Sequence, residues 1–342
     1  MKTAPSSPAR WSRRRLLKTV FCSSAALGLN LRPDGLSAAE TTADDQHWFA
    51  LGDFGSMEPA QSAVADGMKA YVGKLAVKPQ GLLLLGDNFY KKMDGGLKSG
   101  RWKTGFEEMY PKSVFDCPCP AILGNHDYHD NDGGELVQVE YSKKPGTRWT
   151  MPSKWHRQDM GVANGKPLVT FLCLDTNFRA VSGGKTKDGK IKNSLIESEE
   201  NEQLFWLKEE LKKPRATWTI VMGHHPLYSN GIHGDSKPLQ AAFGELLQEN
   251  GVHLYMCGHD HDLQHLEFAG KKTSHILSGG GGARVREPKI DSRGPYSKAI
   301  YGFSHLQVNE KRFIFRHIDA NGKLLHEFEK RPDFSFSVTK VS

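Results

Sequence analysis

The chain has 342 residues, of which 38% are hydrophobic and 25% charged, so it is long enough and apolar enough to bury a large core. Of the formal net charge of +7, residues 1–39 carry +6, so the remaining sequence gives no support for nucleic-acid binding. Five cysteines are too few for a disulfide-stapled scaffold of this size.

The N-terminal stretch predicts an export signal. Arg13-Arg14-Arg15 is followed by a short apolar run, Thr19 to Leu29, and by the small residues Ser37-Ala38-Ala39. The arginines are typical of a twin-arginine signal, so we expect cleavage after Ala39, recognition by the twin-arginine translocation machinery, and a periplasmic or secreted protein. A disordered basic tail or a membrane anchor is the alternative. The apolar run is too short to span a bilayer, so no stable membrane anchor is expected.

The first half of the remaining chain alternates strands and helices, which favours a parallel sheet. The predicted elements are a strand at 47–51, a helix at 60–75, a buried strand at 82–90, a helix at 102–110 and a strand at 120–123.

The second half continues the alternation and then changes period. A strand at 168–175, a helix at 197–212, a strand at 218–222, a helix at 238–250 and a strand at 252–257 are predicted. From His275 onward, alternating apolar residues with turns at 309–310 and 320–322 indicate antiparallel strands. No long linker interrupts these parts, so we expect a single domain over residues 40–342.

An apolar residue, a glycine and a metal-capable side chain recur at five predicted strand ends. A glycine there lets the chain turn sharply beside a charged centre, where a Cβ would clash. Ligands of open α/β sheets bind beyond the carboxyl ends of the strands, so we expect one edge of one sheet to hold the site. The five triplets are Leu51-Gly52-Asp53, Leu85-Gly86-Asp87, Leu123-Gly124-Asn125, Met222-Gly223-His224 and Cys257-Gly258-His259.

With Tyr90 and His261, the candidate ligands number seven, which is too many for one tetrahedral zinc and favours two metals. Asp87 follows the central strand and is the natural bridge between an oxygen-rich and an imidazole-rich set. Two cations about 4 Å apart form a clamp for in-line phosphoryl displacement by a metal-bound hydroxide. Lone Gly-Asp or Gly-His pairs are usually turns, so the conjunction of motifs in one order carries the argument.

These motifs resemble those of the purple acid phosphatases, within the calcineurin-like metallophosphoesterases. The resemblance covers about residues 48–328. Within this range, the segment Arg148-Trp149-Thr150-Met151-Pro152-Ser153 is similar to one of the small, tartrate-resistant type. Most of the superfamily has Asp-x-His and Gly-Asp-x-x-Asp, whereas here Gly55 and Tyr90 stand at the variable positions. The tyrosinate is the ligand that holds Fe(III) and gives the family its colour.

The resemblance implies an α/β fold, a two-layer β-sandwich of mixed sheets flanked by helices. It implies a monomeric acid phosphatase that hydrolyses phosphate monoesters of small molecules or phosphoproteins. A phosphodiesterase or nucleotidase on the same scaffold, or a secreted metal- or phosphate-binding module without turnover, are the alternatives. The implied ligands of Fe(III) are Asp53, Asp87, Tyr90 and His261, and those of a divalent Fe, Zn or Mn are Asp87, Asn125, His224 and His259.

Further residues are assigned by the resemblance or by their setting. His126 and His233 match the positions that orient the substrate and protonate the leaving group, and the alternative for each is a loop histidine. His225 and Asp127 are expected to support neighbours rather than bind metal. The glycines at 279–282 are expected to form a flexible strand-end loop, and His129, Asp130 and Asp132 an exposed polar loop. The lysine- and glycine-rich segment 179–194 is expected to be a mobile loop near the metals. The resemblance implies that cleavage of this loop raises activity, as in the small type, and a solvated connector without effect is the alternative.

Overall fold

A computed structural model describes residues 42–131, 133–290 and 293–341 of the chain. The predicted export signal and its cleavage point lie outside these residues. The described part belongs to one compact unit.

The strands account for most of the regular structure. In chain order they are β1 (Gln46–Leu51), β2 (Pro79–Leu84), β3 (Cys119–Pro120), β4 (Trp149–Thr150), β5 (His156–Ala163), β6 (Lys166–Cys173), β7 (Gly184–Lys185), β8 (Ile191–Lys192), β9 (Trp218–Met222), β10 (Leu254–Cys257), β11 (Leu263–Leu266), β12 (Ser274–Ser278), β13 (Tyr296–Lys298), β14 (Gly302–Val308), β15 (Phe313–Asp319), β16 (Leu324–Lys330) and β17 (Phe336–Val341).

The helices are fewer and mostly short. They are α1 (Pro59–Leu75), α2 (Asn125–His129), α3 (Gly134–Tyr141), α4 (Glu197–Lys212), α5 (Lys237–Leu239) and α6 (Glu245–Glu249), with a 3₁₀ turn at Gly96–Lys98 and π-helical turns at Trp102–Glu107 and Gln240–Gly244. Within the described residues, every helix is too short or too polar to cross a membrane.

Two large mixed sheets form the body of the fold, as the resemblance implies. The six-stranded sheet has the order β17-β16-β15-β14-β1-β2, in which only β1 and β2 pair in parallel. The seven-stranded sheet has the order β13-β11-β12-β10-β9-β6-β5, with parallel pairs through β6, β9, β10 and β12. The predicted mixture of parallel and antiparallel pairing is therefore present in both layers.

The two sheets pack face to face through a fully buried apolar layer. Trp48, Leu83 and Phe315 of the six-stranded sheet belong to one cluster with Phe171 and Ile220 of the seven-stranded sheet. A second cluster joins the other face of the seven-stranded sheet to α4 and to the helical stretch from α5 to α6. Burial of apolar area on this scale, at about 25 cal/mol per Å², supplies the main driving force for this layered arrangement.

The predicted elements are present, but several have different bounds. The central strand β2 ends at Leu84 instead of continuing to Tyr90, so Asp87 and Tyr90 lie in the loop that follows. The predicted helix at 102–110 is a π-helical turn, and the strand at 120–123 is reduced to Cys119–Pro120 with an isolated bridge from Ala121 to Leu84. The segment 179–194 contains the hairpin β7–β8 rather than only a mobile loop.

Candidate metal centre

The candidate ligands lie at strand ends, but these ends belong to two sheets and not to one edge of one sheet as the sequence suggested. Asp53 and Asp87 follow β1 and β2 of the six-stranded sheet, whereas His224 and His259 follow β9 and β10 of the seven-stranded sheet. Asn125 is the first residue of α2. The site therefore closes the end of the sandwich, where loops from both layers meet.

Three of the candidate ligands have a backbone conformation that is rare for residues other than glycine. The φ angles of Asp53, Asp87 and His259 are 57°, 52° and 70°. Such conformations cost about 1–3 kcal/mol each and persist where the surrounding structure determines them. The Asp53 amide donates to Gly86 O at 3.0 Å, and the His259 amide to Asp53 Oδ2 at 2.9 Å, so the loops hold one another in place.

The glycines before the ligands are required by close approach, as the triplets predicted. A Cβ on Gly86, whose φ is 89°, would lie 2.5 Å from Nδ1 of His224. A Cβ on Gly124 would lie 2.2 Å from Oδ1 of Asp87. Any side chain at these two positions would displace a candidate ligand.

The first group of donor atoms combines oxygen with one imidazole. The Tyr90 hydroxyl lies 3.2 Å from both Asp53 Oδ1 and Nε2 of His261, and that Nε2 lies 3.5 Å from Asp53 Oδ1. Asp53, Asp87 and His261 place ligand atoms within 4.8 Å of one another. Carboxylate, phenolate and imidazole together suit a hard trivalent or divalent transition metal.

The second group is richer in imidazole. Oδ1 of Asn125 lies 3.2 Å from Nε2 of His224 and 2.9 Å from Nδ1 of His259. Oδ1 of Asp87 lies 3.4 Å from Nε2 of His224, so Asp87 is near both groups. The structure thus brings together all seven side chains that the sequence singled out as ligands.

Two of the histidines are oriented through the ring nitrogen that faces away from the centre. Nδ1 of His224 lies 2.9 Å from the carbonyl of Leu85, and Nδ1 of His261 lies 2.8 Å from the carbonyl of Arg284. A carbonyl accepts only, so Nδ1 carries the proton in each neutral ring and Nε2 keeps a free lone pair facing the centre. This arrangement is the usual one for histidines that bind a metal.

The electrostatics of the centre favour cations. Burial lowers the pKa of His224, but the neighbouring Asp87 carboxylate outweighs burial and raises it to about 10. Burial raises the pKa of Asp53, and burial together with Asp53 and Asp87 raises that of Tyr90. Buried acidic groups in such proximity are stabilised by a positive charge between them, which a metal ion supplies better than a proton on His224.

The two candidate catalytic histidines lie beside the ligands. The backbone amide of His126 donates to Oδ1 of Asp87 at 2.9 Å, and its ring centroid lies 4.3 Å from that of Tyr90. The ring of His233 is exposed and lies 4.2 Å, between centroids, from the ring of His259. Burial of part of the side chain lowers the pKa of His233, and the positive charge of Arg286 lowers it further.

Three further residues lie around the ligands; the sequence had suggested a supporting place for His225 but not for Asp130 or Arg101. A ring nitrogen of His225 lies within 4.8 Å of ligand atoms of His224 and His259, while its Nδ1 lies 3.0 Å from the Thr176 hydroxyl. Asp130, which we expected in an exposed loop, is half-buried and lies 3.0 Å from Nδ1 of His126. Arg101 donates to the carbonyl of Gly55 at 2.7 Å.

Asp127 has the supporting position that the sequence suggested. It is fully buried and accepts hydrogen bonds from the amides of Gly124, Asn88 and Phe89, at 2.8, 3.2 and 3.1 Å. Burial, and then the charge of Asp87, raise its pKa to about 7. Asp127 therefore ties the loop that carries Asp87 to the one that carries Asn125. Asp132 lies outside the described residues.

The glycine run 279–282 is buried and docked, which differs from the flexible loop expected. The amide of Gly281 donates to Gly52 O at 3.1 Å, and the amide of Ala283 to Asp53 O at 2.8 Å. A Cβ on Gly281 would lie 2.3 Å from Gly52 O. The run is glycine-rich because it packs its backbone directly against the loop of Asp53. Cys117 and Cys119 are buried and form no disulfide with each other.

The chain is similar in sequence to a known family and to several proteins within it. Residues 50–263 match the calcineurin-like phosphoesterase family. The chain is 28% identical to human tartrate-resistant acid phosphatase type 5 over 84% of this chain and 92% of that protein. It is 30% identical to purple acid phosphatase 7 of Arabidopsis thaliana over 82% of this chain and 84% of that protein.

A solved structure shows the same fold. The purple acid phosphatase PPD1 from yellow lupin superposes with a TM-score of 0.62 at 17% identity, over 87% of this chain and 55% of that one. At this identity the likeness concerns the fold alone.

Proposed function

The chain belongs to the calcineurin-like phosphoesterase family and, within it, to the purple acid phosphatases, and from this premise we propose how its own residues carry out the reaction. It is an acid phosphatase that hydrolyses phosphate monoesters at a centre of two metal ions. When bound, the metal pair stabilises the charge on the transferred phosphoryl group and lowers the pKa of a bound water.

One observation carries this proposal: seven donor side chains from five loops converge at one end of the sandwich. Asp87 contributes to both donor groups, because its Oδ1 lies 3.4 Å from Nε2 of His224 and its carboxylate lies within 4.8 Å of ligand atoms of Asp53 and His261. A carboxylate in that position can bridge two ions.

We propose a separate set of ligands for each of the two ions, with Asp87 shared between the sets. Asp53, Tyr90 and His261, with Asp87, would hold Fe(III), since a phenolate and two carboxylates neutralise a trivalent ion. Asn125, His224 and His259, with Asp87, would hold a divalent Fe, Zn or Mn, for which imidazole is a suitable ligand. The orientation of His224 and His261 by backbone carbonyls supports these roles.

His126 and His233 would act on the substrate rather than on the metals. The backbone amide of His126 donates to Asp87, and its ring nitrogen Nδ1 contacts the carboxylate of Asp130. The ring would thereby be held in position to orient a phosphoryl oxygen. His233 lies against His259 and is exposed, which suits a group that delivers a proton to a leaving alcohol.

The test combines metal analysis, the visible spectrum and activity of the purified mature protein. We expect about two metal equivalents per chain, a visible absorption band from tyrosinate–Fe(III), and hydrolysis of p-nitrophenyl phosphate at acidic pH. The diester bis(p-nitrophenyl) phosphate separates a monoesterase from a diesterase on the same scaffold. Metal binding without hydrolysis of either ester would contradict the proposal.

We also propose that the protein is exported after folding, because the arginine pair Arg13-Arg14 precedes a short apolar run. Replacing both arginines with lysine keeps the charge and should leave metal-loaded enzyme in the cytoplasm. Fractionation of cells that express the two forms measures this. Normal export of the double variant would point to another route.

A further inference from the structure

A cavity of about 500 Å³ adjoins the candidate metal centre and has a strongly cationic wall. It is lined on the side of the metals by Tyr90, His126 and His261, and its wall also contains Lys91, Arg284 and Arg286. A volume of this size accommodates a small organic substrate. We call it the arginine-lined cavity.

The backbone of the two arginines is fixed to a candidate ligand. The carbonyl of Arg284 lies 2.8 Å from Nδ1 of His261, and the amide of Arg286 donates to His261 O at 3.1 Å. The preceding Ala283 is hydrogen-bonded to the loop of Asp53. The two guanidinium groups therefore extend from a backbone whose distance from the metal centre is set by the fold.

The wall carries an excess of positive charge. Lys91, Arg284 and Arg286 face one carboxylate, that of Glu58, which lies 3.8 Å from Nζ of Lys91 and is largely exposed. Within the described part of the chain, no carboxylate lies at ion-pair distance from Arg284 or Arg286. These two charges have no protein counterion there, so an anionic ligand would be their natural partner.

The polar contact of Arg286 leaves part of its guanidinium available. One Nη of Arg286 lies 3.2 Å from Nε2 of His233, and arginine can only donate. The guanidinium has five N–H donors, so several remain for a ligand in the cavity. A planar fork of this kind matches a carboxylate or a phosphate in bidentate geometry.

We propose that Arg284 and Arg286, assisted by Lys91, form a secondary anion subsite that binds a second carboxylate or phosphate group of the substrate. The inference rests on the proposed phosphomonoesterase function and names its substrate class: monoesters that carry another anionic group a few bonds from the scissile phosphate. A phosphate held at the metal ligands would place such a group in the arginine-lined cavity.

A matched pair of esters tests the subsite in the metal-loaded enzyme. 3-Phosphoglycerate and glycerol 3-phosphate differ by a carboxylate in place of a hydroxymethyl group. We expect kcat/KM to be higher for 3-phosphoglycerate, and the ratio of the two values to fall about tenfold in the double variant Arg284→Gln/Arg286→Gln, mainly through KM. Arg284→Gln alone should lower the ratio without disturbing the contact to His233.

Arg331→Gln is the control, because Arg331 is an exposed arginine that follows β16. The strand pairings put it at the end of the six-stranded sheet where β1 begins, opposite the end that carries Asp53. Arg331→Gln removes one positive charge, as Arg284→Gln does, and should leave the ratio unchanged. A measurement without mutation is the salt dependence: the ratio should fall when sodium chloride is raised from about 20 mM to about 500 mM.

The outcomes are distinguishable. Equal ratios in the wild type, the double variant and the control overturn the subsite while the phosphatase assignment stands. A fall of the ratio in Arg331→Gln equal to that in Arg284→Gln also overturns it, since general charge would then be the cause. If neither ester nor p-nitrophenyl phosphate is hydrolysed by the metal-loaded protein, the proposed function fails, and the subsite with it.

Discussion

Two buried histidine-rich regions of this molecule look alike in composition and differ in what they can do. One is the candidate metal centre with His224, His259 and His261. The other, the interior histidine cluster, consists of His265 on β11, His317 on β15 and His326 on β16. All three of its members are fully buried, and they lie on strands of both large sheets.

Five of the six ring nitrogens of the interior histidine cluster lie at hydrogen-bond distance from protein atoms, and Nδ1 of His326 is the sixth. Nδ1 of His265 lies 2.9 Å from Nε2 of His326, and Nε2 of His265 lies 2.8 Å from Glu267. The ring of His317 lies between the Ser304 hydroxyl, at 3.1 Å, and the carbonyl of Gln264, also at 3.1 Å. These contacts leave few ring-nitrogen lone pairs of the cluster available to converge on a metal ion.

The protonation equilibria of the two regions differ at His224, whereas burial lowers the pKa of His259 and His261 as it does in the interior histidine cluster. Burial lowers the pKa of His317 to about 3 and that of His326 to about 2, so these rings are neutral in the folded protein. At the metal centre, Asp87 outweighs burial and raises the pKa of His224 to about 10. At His224 the charge of a buried carboxylate therefore exceeds the effect of burial, whereas at His317 and His326 burial prevails.

The largest expected effect on activity comes from removing a carboxylate of the metal centre, compared with removing one from the interior histidine cluster. Asp87→Ala should lower kcat/KM for p-nitrophenyl phosphate by about a thousandfold and reduce the metal content, because a bridging ligand serves both ions. Glu267→Gln is the control, since it removes the carboxylate of the interior histidine cluster and should affect stability without changing metal content. Near-normal turnover of Asp87→Ala would show that Asp87 does not bridge.

A second comparison uses the tyrosines. Tyr90→Phe should abolish the visible absorption band and weaken Fe(III) retention by about a hundredfold, since it removes the phenolate ligand. Tyr296→Phe is the matched control, because Tyr296 stacks on His317 and His326 at centroid distances of 5.7 and 4.9 Å. The spectrum of Tyr296→Phe should equal that of the wild type. A band that persists in Tyr90→Phe would refute the assignment.

The interior histidine cluster should make the fold sensitive to acid. In the unfolded chain His317 has a pKa of about 6.5, whereas in the folded protein burial lowers it to about 3. The unfolded state therefore binds the proton first, and the free energy of unfolding falls as the pH drops below about 6.5. At pH 5 the loss from His317 is about 2 kcal/mol, the difference being fully developed only below its folded pKa.

Urea unfolding at pH 7 and pH 5 measures this loss. His317→Gln should reduce the difference between the two pH values by about 2 kcal/mol. Phe328→Leu, which alters the ring stacked on His265 at 3.8 Å, is the control and should lower stability equally at both pH values. The same pH dependence in His317→Gln and the wild type would exclude His317 as its source.

The smallest expected effect concerns the segment 179–194 beside the metal centre. Ala180 and Val181 line a cavity of about 360 Å³ together with His225, His233 and His259, while the lysines of the hairpin β7–β8 are exposed. Limited trypsin treatment should cut after these lysines first and raise turnover about threefold without releasing metal, by freeing the cavity. A cut chain with unchanged rate constants would identify the segment as a connector only.

Much of the site could be read from the sequence because its signals are local. Four of the five triplets of apolar residue, glycine and ligand follow a strand end directly, and the close approach of Gly86 to His224 gives the physical reason for the glycine. Asp130 and the docked glycine run lacked such a signal. Their roles depend on contacts with His126 and Gly52, which are produced only by folding.

The sequence by itself was enough to predict the candidate ligand types, their order, most of the strands that precede them and the family they indicate. The tertiary structure alone decided that Asp53 and Asp87 come from one sheet and His224 and His259 from the other. The spacing of hydrophobic residues along the sequence indicates which faces of a strand are buried, but it does not indicate which distant strand it pairs with. It was also the tertiary structure that set the two arginines beside the metal centre, because their positions follow from backbone hydrogen bonds to His261.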